Sequence, residues 1–120
     1  MAKGASGSNN KSEVLQGTLD LMILKTLQAL GPLHGFSLAR RIEQLSEDVL
    51  HLNEGTVYTS LLRLQQHRWI ASHWGLSEKN RKAKFYSITR SGRQQLAQET
   101  EDWQRISGVI GRLLALEAGE

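Results

Sequence analysis

A chain of 120 residues without cysteine has room for one hydrophobic core and excludes disulfides, thiolate metal sites and cysteine nucleophiles. Its net charge of +3 is unevenly laid out: residues 1–50 balance, residues 51–93 carry eight basic against two acidic side chains, and residues 94–120 two basic against five acidic. A basic middle points to a polyanion partner for that segment, and with no apolar run near the roughly 18 residues of a membrane span and no apolar signal core, a cytoplasmic protein that does not engage a membrane is expected.

Residues 1–12 are mostly glycine, serine, asparagine and lysine, and their composition predicts a disordered tail. From Leu15 the pattern changes. Leu19, Met22, Ile23, Thr26, Leu27 and Leu30 recur at helical spacing, and Gly31-Pro32 is a stop signal. A second helix is predicted from about Gly35 to Ser46, with Leu38, Ile42 and Leu45 on its apolar face. Asn53 is a good N-cap for a third helix that runs to about His67 and buries Val57, Leu61, Leu62 and Leu64. After Arg68 the period falls towards 2. Trp69–Trp74 and Lys84–Ile88 read as two strands of a hairpin, joined by a polar turn over Gly75–Lys82. Thr89 caps a last helix to about Leu116, roughly 40 Å long at 1.5 Å per residue.

Catalytic and metal chemistry find no support. The histidines His34, His51, His67 and His73 form no i, i+4 pair, and no nucleophile elbow or phosphate loop occurs, so no enzyme, cofactor or metal site is expected. Asp20 and Glu54 read as isolated acids, and Glu43 with Glu47 as a solvated helix-surface pair.

The positive signals are positional. Three helices, a hairpin and a trailing helix, in that order, give the expected fold: α+β, mostly α, a winged helix-turn-helix with a two-stranded wing and a long C-terminal dimerisation helix. Its expected divisions are the tail (1–12), the winged helix-turn-helix (13–88) and the dimerisation helix (89–120). The third helix is then the recognition helix, whose first turns reach base edges. Asn53 opens it, and Thr56, Thr59 and Ser60 are candidates for base contacts. Tyr58 and Arg63 are candidates for phosphates, Tyr58 being otherwise a core aromatic with one wet end. Lys79, Arg81, Lys82 and Lys84 make a flexible basic wing tip suited to tracking a duplex backbone. On the last helix Leu96, Trp103, Ile106, Ile110 and Leu113 fall on a heptad-like seam, while Gly108 and Gly111 weaken it by about 1 kcal/mol each.

Gly17–Leu24, Gly31–Phe36, Asn53–Leu61, Trp69-Ile70, Arg81–Tyr86 and Ile88–Gly92 occur in an order and spacing that resemble the PadR-like transcriptional regulators, particularly short members with one C-terminal helix. The resemblance covers about residues 13–115. It implies a homodimeric regulator of double-stranded DNA, usually a repressor, with the last helix supplying much of the interface. It also implies that a small aromatic effector can release the DNA. Trp103, paired across the two-fold axis, would form a slot for such a molecule, and Glu99 and Asp102 would bias it towards cations. Two departures stand out: Phe36 replaces a tyrosine common in the family, and Thr59 replaces a proline. The alternatives are a multidrug or small-molecule binding protein and a winged-helix protein-interaction module without DNA binding.

Overall fold

Leu19, Ile23, Leu24 and Leu27, at helical spacing, are buried on one face of α1 (Lys3–Leu30), and the helix ends where Gly31 takes a left-handed backbone, φ 84°, followed by Pro32. The computed structural model describes residues 3–119, with side chains from Gly17 onward; residues 3–12, expected as a disordered tail, are helical as part of α1, and Met1 and Ala2 lie outside the described residues. Next come β1 (Leu33–His34), α2 (Gly35–Leu45), α3 (Glu54–Gln66), β2 (Ile70–Leu76), β3 (Lys82–Ile88) and α4 (Arg90–Leu114). The three strands are antiparallel in one sheet of order β1-β3-β2.

The caps explain the boundaries. Asn53 Oδ1 accepts from the amides of Gly55 and Thr56, at 2.7 and 3.3 Å, and so opens α3. The end of α3 is a left-handed turn at Arg68, φ 64°, in which the Trp69 amide donates to Leu64 O at 3.1 Å and that of Arg68 to Gln65 O at 2.9 Å. Thr89 Oγ1 accepts from the Gly92 amide at 3.0 Å and opens α4.

Leu19, Ile23, Leu24 and Leu27 of α1 meet Leu38 and Ile42 of α2 and Val57, Leu61 and Leu64 of α3. Ile70, Tyr86 and Ile88 close this core from the sheet, and Leu96 closes it from α4. Four expectations need correction. The sheet has a third strand, β1, whose two residues are too short to display a period of 2 and are held by pairing with Tyr86 and Phe85. The hairpin strands each extend two residues into the expected turn, because Gly75 pairs with Ala83 and Leu76 with Lys82. Leu62 and Leu45, expected inside, are exposed, since the core is already filled at Leu61, Leu64 and Ile42. The wing tip is also ordered by its own bonds: Ser77 N donates to Arg81 O and Asn80 N to Ser77 O, both at 2.8 Å.

Candidate nucleic-acid interface

Three elements build one continuous face: the start of α2, the outward side of α3 and the wing. A cleft of about 300 Å³ between them is lined by His34, Phe36, Glu54, Tyr58, Lys84 and Tyr86, among others. A second of similar size, about 300 Å³, runs from Ser37, Arg40 and Arg41 on α2 to Ser77, Glu78 and Lys79 on the wing. His34 ties the two parts together. Its ring caps α2 through the Ser37 amide, its Nε2 meets Ser37 Oγ at 2.9 Å, and it stands 3.8 Å from Glu78.

Along α3 the outward positions are Glu54, Gly55, Tyr58, Thr59, Leu62 and Gln66. Tyr58 is exposed, not a core aromatic, so its phenol is available to a ligand. Thr59 is exposed too, with Oγ1 donating to Gly55 O at 2.9 Å, which leaves its methyl and lone pairs outward. Thr56 is half-buried, and Asn53 is exposed but uses its carbonyl oxygen as the cap.

Ser60 and Arg63 do not belong to this face. Ser60 is fully buried, at 0% exposure, so it cannot meet a base. Arg63 turns towards α1, where Nε and Nη2 donate to the two carboxylate oxygens of Asp20 at 3.0 and 2.8 Å. Arg63 Nη2 also donates to Ser60 Oγ at 3.1 Å. The hydrogen bond to Asp20 is the main reason the guanidinium is raised above its ordinary pKa, against partial desolvation and with help from the carboxylate charge. Asp20 is therefore not isolated: it forms a two-pronged clamp that fixes α3 to α1. Glu43 is likewise not merely solvated, since Oε2 accepts the Leu52 amide at 2.7 Å and steadies the α2–α3 link.

On the wing, Lys79, Arg81 and Lys82 are exposed and Lys84 is half-buried. Arg40 and Arg41, exposed on α2, add two cations that sequence reading passed over. Their adjacency on the polar side of α2 was the available signal. Tyr86, also passed over, is buried behind Tyr58; burial first, and Tyr58 second, push its phenol above the ordinary value and keep it neutral.

The other half of the molecule has a different character. Leu96 belongs to the core, but Trp103, Ile106, Ile110 and Leu113 are all exposed, Trp103 by 53%. Val109, Leu114 and Leu116 extend this apolar surface. A groove of about 560 Å³ separates α4 from α1, lined by Leu21, Lys25, Leu96, Thr100 and Trp103 among others. Beside it a shallower recess of about 320 Å³ holds Thr18, Leu21, Glu99, Asp102, Trp103 and Ile106. Glu99 accepts from Gln95 at 2.7 Å, and Asp102 is paired with Arg105 at 2.8 Å, so Glu99 carries the less compensated charge. Among the described residues no group of acids and histidines is placed to hold a metal ion. No described helix is long and apolar enough to cross a membrane.

Comparison with known proteins agrees with this arrangement. The model of the PadR-like family of transcriptional regulators matches residues 23–98. A PadR-like transcriptional regulator of Bacillus cereus is 28% identical, with a TM-score of 0.75 over 88% of this chain and 99% of that one. A PadR-family regulator of Eggerthella lenta is 25% identical, with a TM-score of 0.74 over 98% of this chain and 99% of its own. Bacillus subtilis PadR in complex with operator DNA shares the fold, at 23% identity and a TM-score of 0.59, over 72% of this chain and 46% of that one. Family and structural neighbours alike are regulators and not enzymes. With its winged helix, basic wing and long terminal helix, this chain belongs to the PadR-like family of transcriptional regulators.

Proposed function

We propose that the protein is a repressor that binds a specific duplex as a homodimer in the cytoplasm. The observation that carries this reading is the pairing of two unlike surfaces. A face with α3 at its centre and cations from α2 and the wing at its edges lies away from an exposed apolar stripe on α4. In this reading Thr56 and Thr59 meet base edges, Tyr58 meets a phosphate, and Arg40, Arg41, Lys79, Arg81, Lys82 and Lys84 follow the backbone. Residues 13–88 form the reading head and residues 89–120 the dimerisation helix. The duplex complex of Bacillus subtilis PadR, a protein of the same fold, supports DNA as the partner.

Neutralising the wing tests it. Arg81→Gln with Lys82→Gln is expected to weaken binding to all duplexes alike and to flatten the dependence of log K on log salt by about 1 to 2 units. A loss confined to the preferred site, with an unchanged slope, would mean that the wing reads bases. A protein-interaction module would show no salt-dependent duplex binding at all.

The recess at Trp103 supports a planar aromatic effector, drawn by the indole face and by Glu99. Planar aromatic cations are expected to quench tryptophan fluorescence, and Trp103→Phe to remove most of that quenching. Undiminished quenching in the variant would place the effector elsewhere and leave Trp103 as packing.

A further inference from the structure

The wing carries a large aromatic side chain that the core does not use. Trp74 is 63% exposed, an uncommon state for the largest side chain, which is usually mostly buried. It sits on the rung Trp74–Lys84, on the same face of the hairpin as the rungs Ile70–Ile88 and Ser72–Tyr86. Those two inner rungs close the core: Ile70, Ile88 and Tyr86 are buried, and Ser72 Oγ accepts from Gln65 of α3 at 3.1 Å. Trp74 is the next step outward, beyond the helices but still on the side where α3 lies.

The indole is held by cations. Lys82 Nζ lies 5.3 Å and Lys84 Nζ 5.9 Å from its ring, both within reach of a cation–π attraction. Lys82 and Lys84 are two residues apart on one strand, which puts their backbones about 6.8 Å apart at 3.4 Å per residue. An apolar plate beside two ammonium groups repels a basic partner and offers little to a purely apolar one. It suits a surface that alternates apolar sugar with anionic phosphate.

We propose that Trp74 is a duplex-contacting residue whose indole lies against the deoxyribose wall at a groove edge, while Lys82 and Lys84 take the flanking phosphates. The inference rests on the DNA-binding reading above and adds to it a contact that contributes affinity without contributing charge. The lysines already lie near the ring in the free chain, so binding gathers groups that are close together beforehand. Because sugars are common to all sequences, the contact is blind to base identity.

The test compares Trp74→Ala, Trp74→Phe and Lys82→Gln in the full chain, on a duplex selected from a random pool and on an unrelated one, over a salt series. The exposed position makes Trp74→Ala compatible with folding, which circular dichroism and an unchanged melting temperature check. Trp74→Ala is expected to weaken both duplexes by about 10- to 30-fold with the salt slope unchanged, on the scale of aromatic contacts to nucleic acid. Trp74→Phe should retain affinity within about threefold. Lys82→Gln should lower the slope by about 0.9. In a Trp69→Phe, Trp103→Phe chain, where Trp74 is the only indole, saturating duplex should shield its fluorescence from acrylamide. Equal binding by Trp74→Ala, or an indole still open to acrylamide in the complex, overturns the proposal and leaves the DNA reading standing. A slope that falls as much with Trp74→Ala as with Lys82→Gln also overturns it, because the ring would then only position the lysines. If the unaltered chain binds no duplex at any salt, the DNA reading fails and this inference falls with it.

Discussion

Replacing Ile106 and Ile110 together by glutamate is expected to leave the protein monomeric and to weaken its binding to a selected duplex by about a hundredfold or more. Both side chains stand in solvent on α4, with Trp103 before them and Leu113 after, and no residue on that part of the helix is buried. A stripe of this length on an isolated chain is a liability unless another surface covers it. The groove of about 560 Å³ between α1 and α4 continues the same surface at Trp103. Two carboxylates on the stripe would have to be desolvated there, and they would join a segment that already carries a net negative charge. The loss on DNA follows from linkage. A dimer engages its second half-site at the high effective concentration set by the first, and a monomer cannot. Light scattering and duplex titration read the two consequences separately, and truncation at Glu99 should reproduce both. Footprints of the unaltered protein should show paired half-sites about 10 base pairs apart. A double variant that stays dimeric and still protects both half-sites would move the interface off this helix.

Gly92→Ala is expected to cost about 3 kcal/mol of folding stability, at the upper end of overpacking effects. A Cβ at this position would lie 2.0 Å from the carbonyl oxygen of Trp69 and 2.8 Å from Ile88 Cγ1. The obstacle is backbone, and it is tied down. Trp69 O accepts the Thr89 amide at 3.0 Å, and the neighbouring carbonyl of Arg68 accepts the hydroxyls of Thr89 and Ser91 at 2.8 and 3.0 Å. Relief would require the first turn of α4 to lift away from the start of β2, which breaks these bonds and draws Leu96 from the core. Gly108 on the same helix provides the contrast, since a Cβ there meets nothing nearer than the end of Arg112, at 3.8 Å. Gly108→Ala should therefore stabilise the chain by about 1 kcal/mol through helix propensity alone. Urea unfolding with unchanged m-values checks both signs. Equal effects at the two glycines would refute the close-approach argument.

What could be read in the sequence was whatever depends on residues close together along the chain. Asn53 and Thr89 mark helix starts because a cap bonds amides two or three positions away, and Gly31-Pro32 ends a helix through its own backbone. The 3.6 period set which helices exist, and a run of cations between two strand-like segments set the wing. The exposed seam on α4 was legible for the same reason, since a single helix carries all of it. Tertiary structure decided which side of each element meets what. The polar side of α3 offered Thr59 and Ser60 for bases and Arg63 for a phosphate, and only the packed structure shows Ser60 buried beside Val57 and Leu64 and Arg63 turned to Asp20, 43 positions earlier. Strand β1 exists because Tyr86 and Phe85 lie beside it, not because two residues favour a strand. Trp74 read as one more strand aromatic until the rung order put it one step beyond the core. In the sequence Gly92 stands out only as part of the Ile88–Gly92 stretch, and the carbonyl of Trp69 packed against it gives the reason for a glycine there. Each of these depends on a contact between distant parts of the chain, and a local pattern of period or composition carries no record of its distant partner.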